Sequence, residues 1–253
     1  MNKSLSVLFA GESWFTDITE TKGVDSFSMR KYEEAAFWVG NALEEAGISF
    51  THVPSHRIDA DFPDTAEKLS VYDVVMLSDV GSNTFLLPEK TFFEGRRMPN
   101  KLELIKQFTE QGGGFCMIGG YMTFQGFGAK ANYKRTVIEH ILPVELLEGD
   151  DRIEKPEGFC MSIKEHGHPV FNGIPGEFPH MLGYNRLIAK PGAEVLAVYN
   201  GDPMIAVHEY GKGRAMAYAC DCSPHWASPE LCGWEYYNML WQNIACWLSG
   251  KGA

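Results

Sequence analysis

This chain has little of what marks exported, membrane-bound or nucleotide-dependent proteins. Its N-terminus, MNKSLSVLFAGESW, offers an apolar run of about five residues that ends at Gly11-Glu12, too short for a signal hydrophobic region or a membrane span. The expectation is a cytoplasmic protein with no membrane partner. Cysteine is sparse, six in 253 residues, which excludes a disulfide scaffold and suits free, buried thiols in a reducing compartment. Positive charge is in deficit: 22 Lys and Arg against 33 Asp and Glu leave a net charge of -11. A surface of that sign repels a nucleic-acid backbone or an anionic bilayer, so small molecules or proteins remain as partners. The glycine runs at 111–114 and 119–128 match neither GxGxxG nor a P-loop, since no Lys-Ser/Thr follows them, and no cofactor is expected. Internal repeats, low-complexity tracts and linkers are also missing, so residues 1–253 read as one compact domain.

What is present is a soluble globular composition, 45% hydrophobic and 22% charged, ample for a large core. The first half alternates strand and helix signals. Strands are expected at 4–11, 48–54, 72–79 and 114–120, and helices at 30–47, 63–69 and 100–113. YDVVMLSD, at 72–79, is apolar through its centre, as a strand covered on both faces must be. Such alternation predicts a parallel sheet between two helical layers.

The second half changes character: FCMSIK, EVLAVYN, MIAVHEYG and RAMAYACD are short strands separated by turns such as Asn200-Gly201-Asp202 and Gly211-Lys212-Gly213. These predict antiparallel strands added to one edge of the sheet. A Trp-rich helix over 229–248 closes the chain, with Leu231, Trp234, Tyr237, Leu240 or Trp241, Ile244 and Leu248 on its inner face.

Open parallel sheets bind ligands beyond the carboxyl ends of their strands. The residues just past the expected strands therefore nominate a site. Glu12, Ser13 and Trp14 follow the first strand, Ser78, Asp79 and Asn83 the third, Gly119, Gly120, Tyr121, Phe124 and Gln125 the fourth, and Asp221, Ser223 and His225 a late one. The segments 12–29 and 80–99 read as long loops able to serve as lids. Glu12 and Asp79 have an alternative role as helix caps, and His225 as a loop histidine bonded to backbone.

A nucleophile elbow would put its reactive residue in the turn after the strand. Cys116 lies in mid-strand, three residues before Gly119-Gly120, and is expected to be buried, inert and of raised pKa. The turn carries Tyr121, whose phenol can donate a hydrogen bond but is a poor base at neutral pH. Cys220 and Cys222 with His225, and His166 with His168, have metal-like spacing, but structural zinc wants paired C-x₂₋₄-C motifs and four ligands. No metal is expected.

GGGFCMIGGYMTFQG (112–126), the HPVFNGI turn, the EYGKGRAMAY hairpin and DCSPHWASPE leading into the Trp-rich helix resemble class I glutamine amidotransferase-like proteins. These belong to the flavodoxin-like superfamily that also holds the ThuA-like and DJ-1-like proteins. The resemblance covers nearly the whole chain and implies an α/β three-layer fold, with a mostly parallel central sheet, antiparallel edge strands and a site at the strand ends. It also implies a departure. Active members carry a cysteine in a G-x-C-x-G elbow and a His-x-Glu after a late strand. Here the elbow has Gly120-Tyr121, and the late strand ends in Asp221-Cys-Ser-Pro-His225, with Glu230 out of register.

The expected function is therefore binding, with or without transformation, of a small polar or sugar-like metabolite. The candidates are Asp221, His225, Tyr121 and Glu12 for chemistry, and Trp14, Ser78, Asp79, Asn83, Gly119, Gly120 and Gln125 for contact, with Trp14, Tyr121, Phe124 and Trp226 as stacking surfaces. Two alternatives stay open. One is an amidohydrolase or amidotransferase subunit using Cys222 with His225. The other is a non-enzymatic homo-oligomeric scaffold assembled through Trp226, Trp234 and Trp241.

Overall fold

The structure, a computed structural model, describes residues 4–251. Strands β1 (Ser6–Gly11), β2 (Ser13–Lys22), β3 (Asp25–Glu34), β4 (Ser49–Val53), β5 (Val74–Ser78) and β6 (Gly114–Ile118) come from the first half. The second half contributes β7 (Val144–Glu145), β8 (Arg152–Phe159), β9 (Ser162–Ile163), β10 (Met181–Asn185), β11 (Ile188–Ala189), β12 (Glu194–Tyr199), β13 (Asp202–Tyr210) and β14 (Gly213–Tyr218).

Eight of them form one sheet in the order β4-β1-β5-β6-β14-β13-β12-β9. The first five run parallel, and β13, β12 and β9 extend the sheet by antiparallel pairing. β1, β5 and β6 are apolar and almost wholly buried, because helices cover both of their faces. The helix Phe37–Glu45 packs with the final helix Tyr237–Ser249, and Lys101–Glu110 packs with Val137–Ile141. This is the parallel sheet between helical layers expected from the alternation, and the flavodoxin-like three-layer α/β fold that the resemblance implies. Asn100 caps Lys101–Glu110 by accepting the N–H groups of Leu102 and Glu103, and Thr65 caps the turn at Ala66–Leu69 by accepting that of Lys68.

Several elements differ from expectation, each for a visible reason. The helix expected over 30–47 begins only at Phe37, since residues up to Glu34 belong to β3. The expected lid at 12–29 is no loop: β2 and β3 pair along ten residues each to make a long two-stranded hairpin. Its apolar residues stand on exposed faces, so no core-facing stripe marks it in the sequence. The segment 80–99 holds two short helices, Asn83–Leu86 and Glu89–Glu94. The C-terminal helix is broken at Gly233 into Pro229–Cys232 and Tyr237–Ser249.

Candidate active site

β1, β5, β6 and β14 are neighbours in register: Gly11 lies opposite Ser78, Ser78 opposite Ile118, and Ile118 opposite Tyr218. Their carboxyl ends are therefore level, and the chain leaves all four at one place. Glu12 and Asp79, each the first residue past its strand, both adopt left-handed backbone conformations, with φ of 49° and 43°. Non-glycine residues seldom occupy that region, and here it turns two carboxyl groups into the space above the sheet.

That space is a cleft of about 290 Å³ lined by Glu12, Trp14, Asp79, Tyr121, Asp221, Ser223, Pro224 and His225. At its floor Glu12 is buried. Its two carboxyl oxygens accept from Ser78 Oγ at 2.5 Å and Ser223 Oγ at 2.6 Å. Burial, then the nearby charges of Asp221 and Asp79, push the Glu12 pKa well above the usual carboxylate range. Asp79 accepts the Met122 N–H at 2.6 Å, and burial together with Asp221 raises it to about 6.

Asp221 orders the opposite wall. One of its oxygens accepts the N–H groups of Cys222 at 2.7 Å and Ser223 at 3.2 Å, and the other lies 3.6 Å from His225 Nδ1. That contact raises the pKa of the imidazole above its ordinary value. The His225 ring meets the Tyr121 ring edge-on, with centroids 4.4 Å apart, and stacks on Trp226. A carboxylate-oriented imidazole facing two carboxyls of raised pKa is an acid–base arrangement.

A second layer fixes the turn after β6, and the sequence reading passed over it. Buried Asn185, on β10, accepts the Gly120 N–H at 3.0 Å and donates to Gly120 O and to Asp151. Asp151 in turn accepts the N–H groups of Gln125 and Gly126. Arg152, held by Asp150, lies 4.9 Å over the Tyr121 ring and 3.8 Å over that of Phe127. Glu154 accepts from Trp226 Nε1. The GDDR run and Asn185 are the signals for this layer, but neither lies just past a strand of the large sheet.

Of the nominated residues, Glu12, Trp14, Asp79, Tyr121, Asp221, Ser223 and His225 border the cleft. The others do not. Ser78 lies beneath it as a donor to Glu12, and Asn83 is an exposed residue at the start of a short helix. At Gly119 a Cβ would come 2.2 Å from Ala219 O, so glycine there permits strand packing rather than ligand contact. Gly120 backs onto Asp79, where a Cβ would come 2.8 Å from a carboxylate oxygen. Gln125 is buried and spends its side chain on the backbone of Lys134 and Glu148. Phe124 and Trp226 are core residues, so Trp14 and Tyr121 are the aromatic faces left for stacking.

The thiols are also placed. Cys116 is fully buried in β6, and burial raises its pKa strongly. Cys222 is buried too; its sulfur lies 3.5 Å from Ser78 Oγ and 3.8 Å from Glu12, whose charge adds to burial in disfavouring the thiolate. The imidazole of His225 turns to Asp221 instead, which runs against a Cys222–His225 pair. Glu230 pairs with His180, and His168 accepts the Val170 N–H. Glu12, Asp221 and Cys222 bring three donor atoms within 4.8 Å of one another, the one such grouping among the described residues.

Residues 6–250 match the family described as "Putative glutamine amidotransferase". The chain belongs to that family. A solved structure of a cytoplasmic protein from Salmonella typhimurium is 44% identical, covering 96% of this chain and 99% of the other with a TM-score of 0.93. A second, from Salmonella typhimurium LT2, is 43% identical over 96% and 99%, with a TM-score of 0.92. A ThuA-like protein from Parabacteroides merdae shares the fold at 13% identity, with a TM-score of 0.57 over 99% and 92% of the two chains. No curated protein matches. In this amidotransferase-like chain the turn after β6 carries Gly120-Tyr121 and no cysteine. None of its described helices is long and apolar enough to cross a membrane.

Proposed function

We propose that this glutamine amidotransferase-like protein binds a small, polar, sugar-like metabolite in the cleft above β1, β5, β6 and β14 and moves a proton on it. The reading rests on one observation: the Asp221–His225 pair and the Glu12 and Asp79 carboxyls line a single cleft walled by Trp14 and Tyr121. Among the described residues no Lys or Arg lines that cleft, and its one cationic group, His225, is already paired with Asp221, so neutral or cationic ligands suit it better than anions. The ring faces stack on a sugar-like body while the carboxyls take its hydroxyl or amino donors.

In this scheme His225, held protonated by Asp221, is the acid and Asp79 the base. Both are in the required form only above about pH 6, where Asp79 is ionised, and below the raised His225 pKa. A thiol-dependent glutaminase reaction is disfavoured by the burial of Cys222 beneath Glu12. The acidic chain and the cytoplasmic Salmonella relatives support a cytoplasmic protein acting on a small molecule rather than on nucleic acid or membrane.

Thermal-shift titration against neutral sugars and polyols, amino sugars and anionic metabolites tests the scheme. Ligand at about 100 times its Kd contributes roughly 2.7 kcal/mol, which reads as a rise of several degrees. The expected result is stabilisation by a neutral or cationic compound, lost in Asp221→Asn and His225→Gln. Stabilisation by anions alone, or by nothing in the panel, overturns it.

A further inference from the structure

The β2–β3 hairpin is separate from the large sheet and, among the described residues, pairs with no other strand. Its register separates two faces. On one, Phe15 and Tyr32 pack against each other and against His56, which seats the base of the hairpin on the body. The other places Ile18 opposite Met29 and Phe27 opposite Glu20, with Trp14 at the base and Val24 in the turn. These apolar side chains are 40% exposed or more, and Val24 wholly so.

A two-stranded ribbon alone is marginal in water and needs an apolar surface to pack on. An exposed cluster of this kind, here Ile18, Phe27 and Met29 rimmed by the charged Glu20, Lys22, Lys31 and Glu33, marks an interaction surface. From these observations we infer that a second copy of this chain covers the free face of the hairpin, the two arms being exchanged across a twofold axis.

Area argues for that occupant. Ten residues per strand at about 3.4 Å each make an arm roughly 34 Å long, and two strands make it about 10 Å wide. One face is then roughly 340 Å². Two exchanged arms and the surfaces they cover bury on the order of 1,400 Å², within the range of specific, stable interfaces. One arm alone would bury about half of that, below the range, so reciprocity is what makes the contact sufficient. Trp14 belongs both to this face and to the cleft, so the partner borders the cleft mouth.

Light scattering coupled to gel filtration, across a hundredfold range of concentration, tests the inference on the whole chain. The expected mass is twice that of the chain. Ile18→Glu combined with Phe27→Glu is expected to weaken association by at least about a hundredfold, giving single chains whose circular dichroism is unchanged, because both side chains lie outside the core. Single-chain mass for the unaltered protein at every concentration, or a double variant that remains paired, overturns it. The inference does not rest on the cleft chemistry: a paired protein that binds no metabolite sinks the proposed function alone, and a metabolite-binding single chain sinks this one alone.

Discussion

Glu12 and Asp79 show what a level strand end does to a carboxyl group. Each is displaced upward in pKa chiefly by burial, and each feels Asp221. An acid whose folded pKa is raised binds its proton more tightly in the folded state. Its contribution to stability is whole below the unfolded pKa near 4 and is lost as pH rises through the folded one, at about 6 for Asp79. His225 acts in the same direction, since its raised pKa gives stability that disappears as pH rises past it. The protein should therefore be more stable at pH 5 than at pH 8, by on the order of 2 kcal/mol. Urea unfolding midpoints across that range measure the slope. Asp79→Asn and Glu12→Gln are each expected to flatten it, and an unchanged slope in both would show that these groups do not carry it. Glu12→Ala should instead destabilise by about 1–3 kcal/mol, because Ser78 and Ser223 lose their shared acceptor in a buried place.

At the scale of elements, legibility followed burial. β5 and β6 could be read directly, since strands covered on both faces are apolar throughout, and Asn100 marked the start of its helix. Adjacency of β1, β5, β6 and β14 could not be read, yet it alone turns four separate strand ends into one cleft. The hairpin was illegible for the opposite reason, its apolar residues facing outward, where they mimic part of a helical pattern with the residues that follow. Asn185 was missed because its role is set by β10 lying beside the turn after β6, a contact across 65 residues. Replacing it tests that role. Asn185→Ala removes three hydrogen bonds and leaves the Gly120 N–H, the Gly120 carbonyl and one Asp151 oxygen without this partner. A loss of about 2–4 kcal/mol in unfolding free energy is expected. Any metabolite found to bind should bind the variant more weakly, because Tyr121 is positioned by the same turn. A loss under about 0.5 kcal/mol would mean that the turn holds itself.

Over the whole molecule, the two halves of the chain differ in pattern but share one sheet. β14, from the antiparallel half, inserts beside β6 and pairs with it in parallel through five registered residues. The last helix then crosses back to pack on Phe37–Glu45, its Trp241 in ring contact with Tyr218 of β14 and with Tyr237 of the same helix. Neither half can bury its side of the β6–β14 seam without the other, since Phe115, Cys116, Met117, Ala215, Met216 and Ala217 are all buried there. The core should accordingly melt as one unit. Far-ultraviolet circular dichroism follows the sheet and helices, while tryptophan fluorescence follows Trp14 and Trp38 in the first half and Trp226, Trp234, Trp241 and Trp247 in the second. If the halves are one cooperative body, both signals give the same midpoint in urea. Two separated transitions would show that the seam is a docking surface between independently stable parts, and the cleft, which draws Glu12 and Asp79 from one half and Asp221 and His225 from the other, would then be an interdomain site.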